Sequence, residues 1–174
     1  MIKVVSRFAS LLIVAGALVF FSNCGGDDPK PSKEEQQFNK LKKEWTMLTS
    51  NGASLSQNGS TVDRTLDFTG FKLNLSANTF NKNAPAGPYN FTVSGTRPNP
   101  SPWPNSGKWS IAVVGAGDTG SLLRTDADGV SNPISITYNI NSNGQLTLTF
   151  ECDDCDYAGS RTEEVNGLWT FVLQ

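Results

Sequence analysis

The chain of 174 residues contains no histidine, only three cysteines and no cluster of basic residues. Without histidine, the commonest general base and the commonest zinc ligand are missing, which excludes Ser-His-Asp and Cys-His catalytic devices. Paired carboxylates suffice for glycoside chemistry. However, the acidic residues concentrate in predicted turns and tails, where solvation is their ordinary role: Asp126/Asp128, Glu151 to Asp156 and Glu163/Glu164. We therefore expect a protein that is not an enzyme and that needs no cofactor.

The amino terminus has the anatomy of an export signal. Lys3 and Arg7 form a short positive region, and residues 8–21 form an apolar run shorter than the roughly 20 residues that span a membrane. A polar stretch with Cys24 follows. The segment resembles the lipoprotein signal peptides of Bacteroidota, which implies that residues 1–23 are removed and that Cys24 becomes an acylated (palmitate) amino terminus. The alternative is an ordinary secretory signal followed by a free cysteine.

Residues 24–32 read as a flexible tether. From Gly25 to Ser32 there is no apolar residue, so this stretch has nothing to bury and is expected to stay solvated. The pair Asp27-Asp28 resembles the signals that send some Bacteroidota lipoproteins to the cell surface, although two charges in a tether explain it equally well. The expected location is the outer membrane, lipid-anchored, on the periplasmic face or the cell surface.

The charge of the mature chain argues against nucleic acid as a partner. Lys3 and Arg7 are the only charged residues in 1–23, so cleavage leaves 12 basic and 16 acidic residues and a net charge of −4. Nucleic acid and anionic lipid both require clustered Lys and Arg. The length that remains corresponds to one domain, residues 33–174.

A short helix is predicted at the start of this domain. Ser32 and Glu35 have the spacing of a capping box, and Phe38, Leu41 and Trp45 recur at helical intervals. This pattern favours a helix from Ser32 to about Glu44 that leads into the first strand.

Beyond the helix, apolar residues alternate with polar or small ones, which is the pattern of half-buried strands. The alternating sets are Trp45/Met47, Phe71/Leu73/Leu75, Tyr89/Phe91/Val93, Trp109/Ile111/Val113, Ile134/Ile136/Tyr138, Leu146/Leu148/Phe150 and Trp169/Phe171/Leu173. Turn dipeptides that favour tight hairpins lie between the sets: Asn51-Gly52, Asn58-Gly59, Asp128-Gly129, Asn143-Gly144 and Asn166-Gly167. The sequence predicts an all-β antiparallel sheet that closes as a barrel or packs as a sandwich.

Three motifs resemble the small lipocalin-like lipoproteins of Bacteroidota. They are a strand that opens with Glu44-Trp45-Thr46-Met47, the segment Trp-Pro-Asn-Ser-Gly-Lys-Trp at 103–109, and a closing strand at 167–171. The resemblance implies an antiparallel lipocalin-like β-barrel with a short N-terminal helix, and a β-sandwich is the alternative.

The segment Glu151-Cys152-Asp153-Asp154-Cys155-Asp156 has the most distinctive local chemistry. Export favours a disulfide between Cys152 and Cys155. The second interpretation is a cation site in which Asp153 and Asp154 supply oxygen ligands, although the spacing is not that of an EF-hand. The third is a redox-active Cys-x-x-Cys pair, disfavoured because the acidic neighbours raise the thiol pKa.

The four tryptophans divide into two groups. Trp45, Trp109 and Trp169 belong to alternating strands and are predicted core residues. Trp103 lies in a segment with four prolines, which predicts an exposed extended loop. Its indole is expected either to stack on a sugar or partner, or to fold back over the end of the barrel.

The function predicted from these features is binding. We expect a membrane-anchored lipoprotein that binds a small apolar ligand or a surface partner, with Trp103 and Trp109 as candidate ligand-binding residues. The alternative is a β-sandwich module for adhesion or glycan binding. Interior volume distinguishes them, because a ligand-binding barrel requires a cavity of about 300 Å³ or more.

Overall fold

The structure is a computed structural model that describes residues 30–48, 55–58, 65–99, 101–126, 133–153 and 165–174. Residues 33–174 form one compact unit. Its elements are helix α1 (Lys33–Leu41), a short 3₁₀ helix (Thr65–Phe68), and nine strands: β1 (Glu44–Thr46), β2 (Leu55–Gln57), β3 (Lys72–Asn74), β4 (Tyr89–Ser94), β5 (Ser106–Val114), β6 (Thr119–Asp126), β7 (Ile134–Ile140), β8 (Leu146–Cys152) and β9 (Gly167–Leu173).

The described strands form one antiparallel sheet in the order β1-β3-β4-β5-β6-β7-β8-β9-β2. The sheet curls so that its ends meet: Met47, just after β1, pairs with Leu173 of β9. Thr46 and Gln174 exchange two backbone hydrogen bonds of 2.9 and 2.8 Å. The prediction of an all-β, barrel-like antiparallel fold with an N-terminal helix is confirmed. The described strands do not form the two sheets of a sandwich.

The inner face of the curled sheet carries the alternating residues that the sequence marked as core. Strand β4 alternates strictly between buried and exposed positions, and Trp169, Phe171 and Leu173 of β9 are all fully buried. The predicted burial of Trp45, Trp109 and Trp169 is confirmed, with at most 3% of each exposed. Burial of the apolar side chains on this face is therefore the main force that stabilises the fold of the domain.

The hairpin between β7 and β8 forms at the predicted Asn143-Gly144 turn. Gly144 has a φ of +74°, a conformation that glycine adopts without steric cost. The Asn141 side chain accepts hydrogen bonds of 3.0 Å from the backbone N–H groups of Asn143 and Gln145. The turn chemistry thus fixes the register in which Ile140 faces Leu146.

The helix ends earlier than the sequence predicted, at Leu41 rather than near Glu44. Leu75 donates a backbone hydrogen bond to Lys43, and Glu44 pairs with Asn74 in the sheet. Backbone hydrogen bonding to the sheet therefore begins at Lys43, two residues after the end of the helix.

One predicted core position is wrong. Val113 continues the Trp109/Ile111 alternation but is 58% exposed, because a bulge between Ile111 and Val113 shifts the register of β5 against β6. The extra residue turns the Val113 side chain to the outer face.

Several predictions concern residues that the structure does not describe, namely 1–29, which include Cys24, and the turns at Asn51-Gly52 and Asp128-Gly129. In the part of the chain that is described, no helix has the length and apolar character required to cross a membrane.

Candidate functional site

Trp103 lies inside the sheet, so the predicted exposed loop is wrong for residues 101–104. All four residues are buried, and only 2% of Trp103 is exposed. The prolines keep this segment out of the strands, as expected, but the segment folds inward and carries the indole with it. Of the two positions proposed for this side chain, the structure excludes the exposed one, because the indole is folded back into the interior.

The indole of Trp103 is surrounded by other rings. Its centroid lies 5.9 Å from Phe91, 5.4 Å from Phe150 and 6.0 Å from Phe171, all edge to face, and 6.3 Å from Phe71. Edge-to-face contact is a favoured geometry of aromatic pairs. These rings pack around the indole in the interior.

Trp109 contacts helix α1 and is paired across β5 and β6 with Arg124. Phe38 of the helix stacks on Trp109 with a centroid distance of 6.0 Å and contacts Tyr89 at 4.6 Å. Gln37 donates to the carbonyl of Gly117 (2.7 Å) and accepts from the Tyr138 hydroxyl (3.0 Å). Burial, followed by the nearby charge of Asp118, raises the pKa of Tyr138 above its usual value. The helix is thus fixed by apolar and by polar contacts.

Both candidate ligand-binding tryptophans line one internal cavity. Its volume is about 20 Å³, and its exposed surface is entirely apolar. The residues around it are Leu41, Leu73, Leu75, Phe91, Trp103, Trp109, Leu122, Arg124, Ile136, Leu146 and Leu148. A cavity of this size has room for about one water. It is far smaller than the roughly 300 Å³ of a ligand pocket.

An ion pair is buried beside this cavity. Arg124 Nε lies 3.1 Å from Asp126 Oδ1, and only 1% of each side chain is exposed. The guanidinium carbon of Arg124 is 4.6 Å from the ring centroid of Trp103 and 5.0 Å from that of Phe150. Cation–π attraction is strengthened by exclusion of water. Asp126, which the sequence placed in a solvated cluster, is instead an inward-facing residue of β6.

Sequence analysis missed this pair, although a signal for it was present. Leu122, Arg124 and Asp126 occupy the inward positions of β6, alternating with Leu123 and Thr125. Because two of these inward residues are charged, β6 lacks the apolar alternation that identified the other strands. A test for two-residue alternation that allows Arg and Asp at the inward positions would have identified β6 as a strand and the two residues as a buried pair.

The cysteine segment is described only as far as Asp153. Cys152 is fully buried at the end of β8, while Glu151 and Asp153 are exposed. Cys155, Asp154 and Asp156 lie outside the described residues, so the Cys152–Cys155 disulfide and the alternative cation site stay predictions. Among the residues that are described, no group of three or more Cys, Asp or Glu is placed to hold a metal ion.

The disulfide predicts a simple mass difference. The exported protein is expected to be about two mass units lighter than its reduced form, because one disulfide replaces two thiols. Intact-mass measurement before and after reduction checks this. The loop closed by Cys152 and Cys155 is short, so its contribution to stability is at most about 2 kcal/mol. Alkylation of both thiols in the native protein would contradict the pairing.

Comparison with known proteins adds no assignment, since no protein family, no curated protein and no solved structure matches this chain.

Proposed function

We propose that this chain is a membrane-anchored, non-enzymatic lipoprotein of the lipocalin-like kind whose barrel-like domain binds a partner protein of the cell envelope through its outer surface. The packed interior supports this proposal. In the described part of the chain the inner face is filled by aromatic and aliphatic side chains, and the cavity of about 20 Å³ has no room for a small-molecule ligand. The packing of the described residues therefore favours binding through the surface of the domain.

The outer face of β6 to β9 is the surface best suited to such contact. A row of hydroxyl side chains faces its neighbours in register across five strands: Ser121, Thr137, Thr149, Thr170 and Ser56. The outward positions of β6 to β9 carry a single charged residue, Glu151. The cores of protein–protein interfaces are depleted in charged residues, and hydroxyl groups both donate and accept hydrogen bonds.

Lysine substitutions on this face test the proposal. In the mature chain with Cys24→Ala, Ser121→Lys and Thr137→Lys are expected to lower saturable binding to isolated cell envelopes by at least about tenfold, because each places an unpaired charge in the contact. Thr92→Lys, on the exposed outer side of β4, is the matched control and should bind like the unsubstituted chain. Protease treatment of the envelopes should abolish binding, and periodate oxidation of their sugars should not.

The opposite result would favour the adhesion alternative or the ligand alternative. Loss of binding after periodate but not after protease would indicate a glycan. An apolar fluorescent probe that binds at one saturable site, with envelope binding unaffected by both lysine substitutions, would indicate a small apolar ligand.

A further inference from the structure

Trp103 differs from the other three tryptophans in its place in the chain. Trp45, Trp109 and Trp169 belong to strands β1, β5 and β9, whereas Trp103 lies between two prolines in the irregular segment that joins β4 to β5. Proline has no backbone N–H to donate to a sheet. The backbone around Trp103 is therefore not part of the hydrogen-bond ladder that holds the other three in place.

Trp103 also differs in its hydrogen bonding. The indole N–H groups of the other three tryptophans each donate to a backbone carbonyl: Trp45 to Leu41 at 2.9 Å, Trp109 to Asn90 at 3.2 Å and Trp169 to Val165 at 2.7 Å. The buried Nε1 of Trp103 has no acceptor among the described residues. A buried donor that has lost its water carries a free-energy penalty, so this indole is the least well satisfied of the four.

The surroundings of the Trp103 indole are nevertheless those of an aromatic recognition site. Three phenylalanine rings meet it edge to face, and the Arg124 guanidinium lies 4.6 Å from its centroid. A cation over a ring attracts electron-rich π systems and offers no such attraction to a saturated ring of the same size. The site is thus selective for the kind of group that Trp103 presents.

The side chain of Arg97 fastens this segment, and the Trp103 backbone N–H donates to Ser101 Oγ at 3.2 Å. Arg97 Nη1 donates to the carbonyl of Trp103 at 2.7 Å, and Arg97 Nη2 donates to the side chain of Asn105. Burial lowers the pKa of Arg97 from its usual value. The small cavity lies directly beside the indole, so packing around it is incomplete.

We propose that Trp103 occupies a binding site for a small, electron-rich planar aromatic molecule of the indole or phenol kind, and that such a molecule takes the place of the indole when residues 101–104 move outward. In the absence of the ligand, the Trp103 indole fills this site. This site is separate from the outer face of β6 to β9, so either proposal can be wrong without affecting the other.

Fluorine NMR on the mature Cys24→Ala chain labelled with 5-fluorotryptophan tests the proposal directly. The four tryptophans give separate resonances, and Trp103→Phe identifies the one from Trp103. Titration with phenol is expected to move that resonance alone, saturably, toward the position of solvent-exposed indole. Cyclohexanol is the matched probe, with the same ring size and hydroxyl group but no π system. Its binding should be weaker by about tenfold or more.

A second variant shows whether the site exists when its occupant is removed. Trp103→Ala, judged folded by the other three fluorine resonances, is expected to bind indole and phenol more tightly than the unsubstituted chain, because no indole must be displaced. If Trp103→Ala binds phenol but the unsubstituted chain shows no movement of Trp103, the cavity is a product of the substitution and the proposal is wrong. Equal affinity for cyclohexanol overturns the aromatic selectivity. If Trp103→Ala does not fold, the titration of the unsubstituted chain alone decides the question.

Discussion

Replacement of Arg124 with alanine is expected to lower the free energy of unfolding by about 3–5 kcal/mol, because it removes the cation that lies 3.1 Å from the buried carboxylate of Asp126. Only 1% of either side chain is exposed, and the guanidinium also contacts Trp103 and Phe150. Denaturant unfolding of the mature Cys24→Ala chain measures the change. Lys72→Ala is the matched control, since it removes the cation of a half-exposed ion pair with Glu44. That loss should cost no more than about 1 kcal/mol.

The double substitution Arg124→Met with Asp126→Leu distinguishes the stability lost because a buried charge loses its cation from the stability lost through reduced packing. It removes both charges while keeping apolar volume in the core, and replacement of a whole buried pair is often neutral or stabilising. Most of the stability lost in Arg124→Ala should therefore return. A double variant as unstable as the single one would show that the cost does not come from an uncompensated carboxylate.

The parts of the fold that could be predicted from the sequence are those in which one physical rule acts alone. Strand β4 alternates without exception because each inward residue is apolar and each outward one is polar. Strand β6 was missed because its inner face carries an ion pair, and Val113 was misplaced because a bulge inserts a residue that no periodicity reveals. In both places tertiary contacts override the local pattern.

The candidate site was predictable in its residues but not in its geometry. The sequence singled out Trp103 and Trp109, and the two do line one cavity. The four prolines correctly excluded Trp103 from a strand, but they contain no information on whether the loop faces water or the core. That depends on Phe91, Phe150 and Phe171, which come from three separate strands, and on Arg124 from a fourth. Only the folded sheet brings these residues together.

Replacement of Cys24 with alanine is expected to move the purified protein completely from the detergent phase to the aqueous phase in detergent phase partition. Acyl chains contribute about 0.8 kcal/mol for each buried CH₂ group, so a doubly or triply acylated cysteine accounts for stable anchoring by itself. The net charge of −4 expected after cleavage opposes attraction to anionic lipid, so the acyl chains are the predicted means of anchoring. Incorporation of a labelled fatty acid, lost in Cys24→Ala, measures the same event chemically.

Cys152→Ala is the control for this experiment, because it removes a cysteine from the buried end of β8 and leaves the predicted acylation site in place. It should keep both the label and the membrane location. An envelope partner would also retain the protein on membranes. The comparison is therefore made by detergent phase partition of the purified protein, in which the acyl chains determine whether the protein enters the detergent phase. Entry of Cys24→Ala into the detergent phase, or an unlabelled wild type, would contradict the anchor. The same measurement separates the two roles proposed here: Thr137→Lys should stay in the detergent phase and lose only its attachment to the partner.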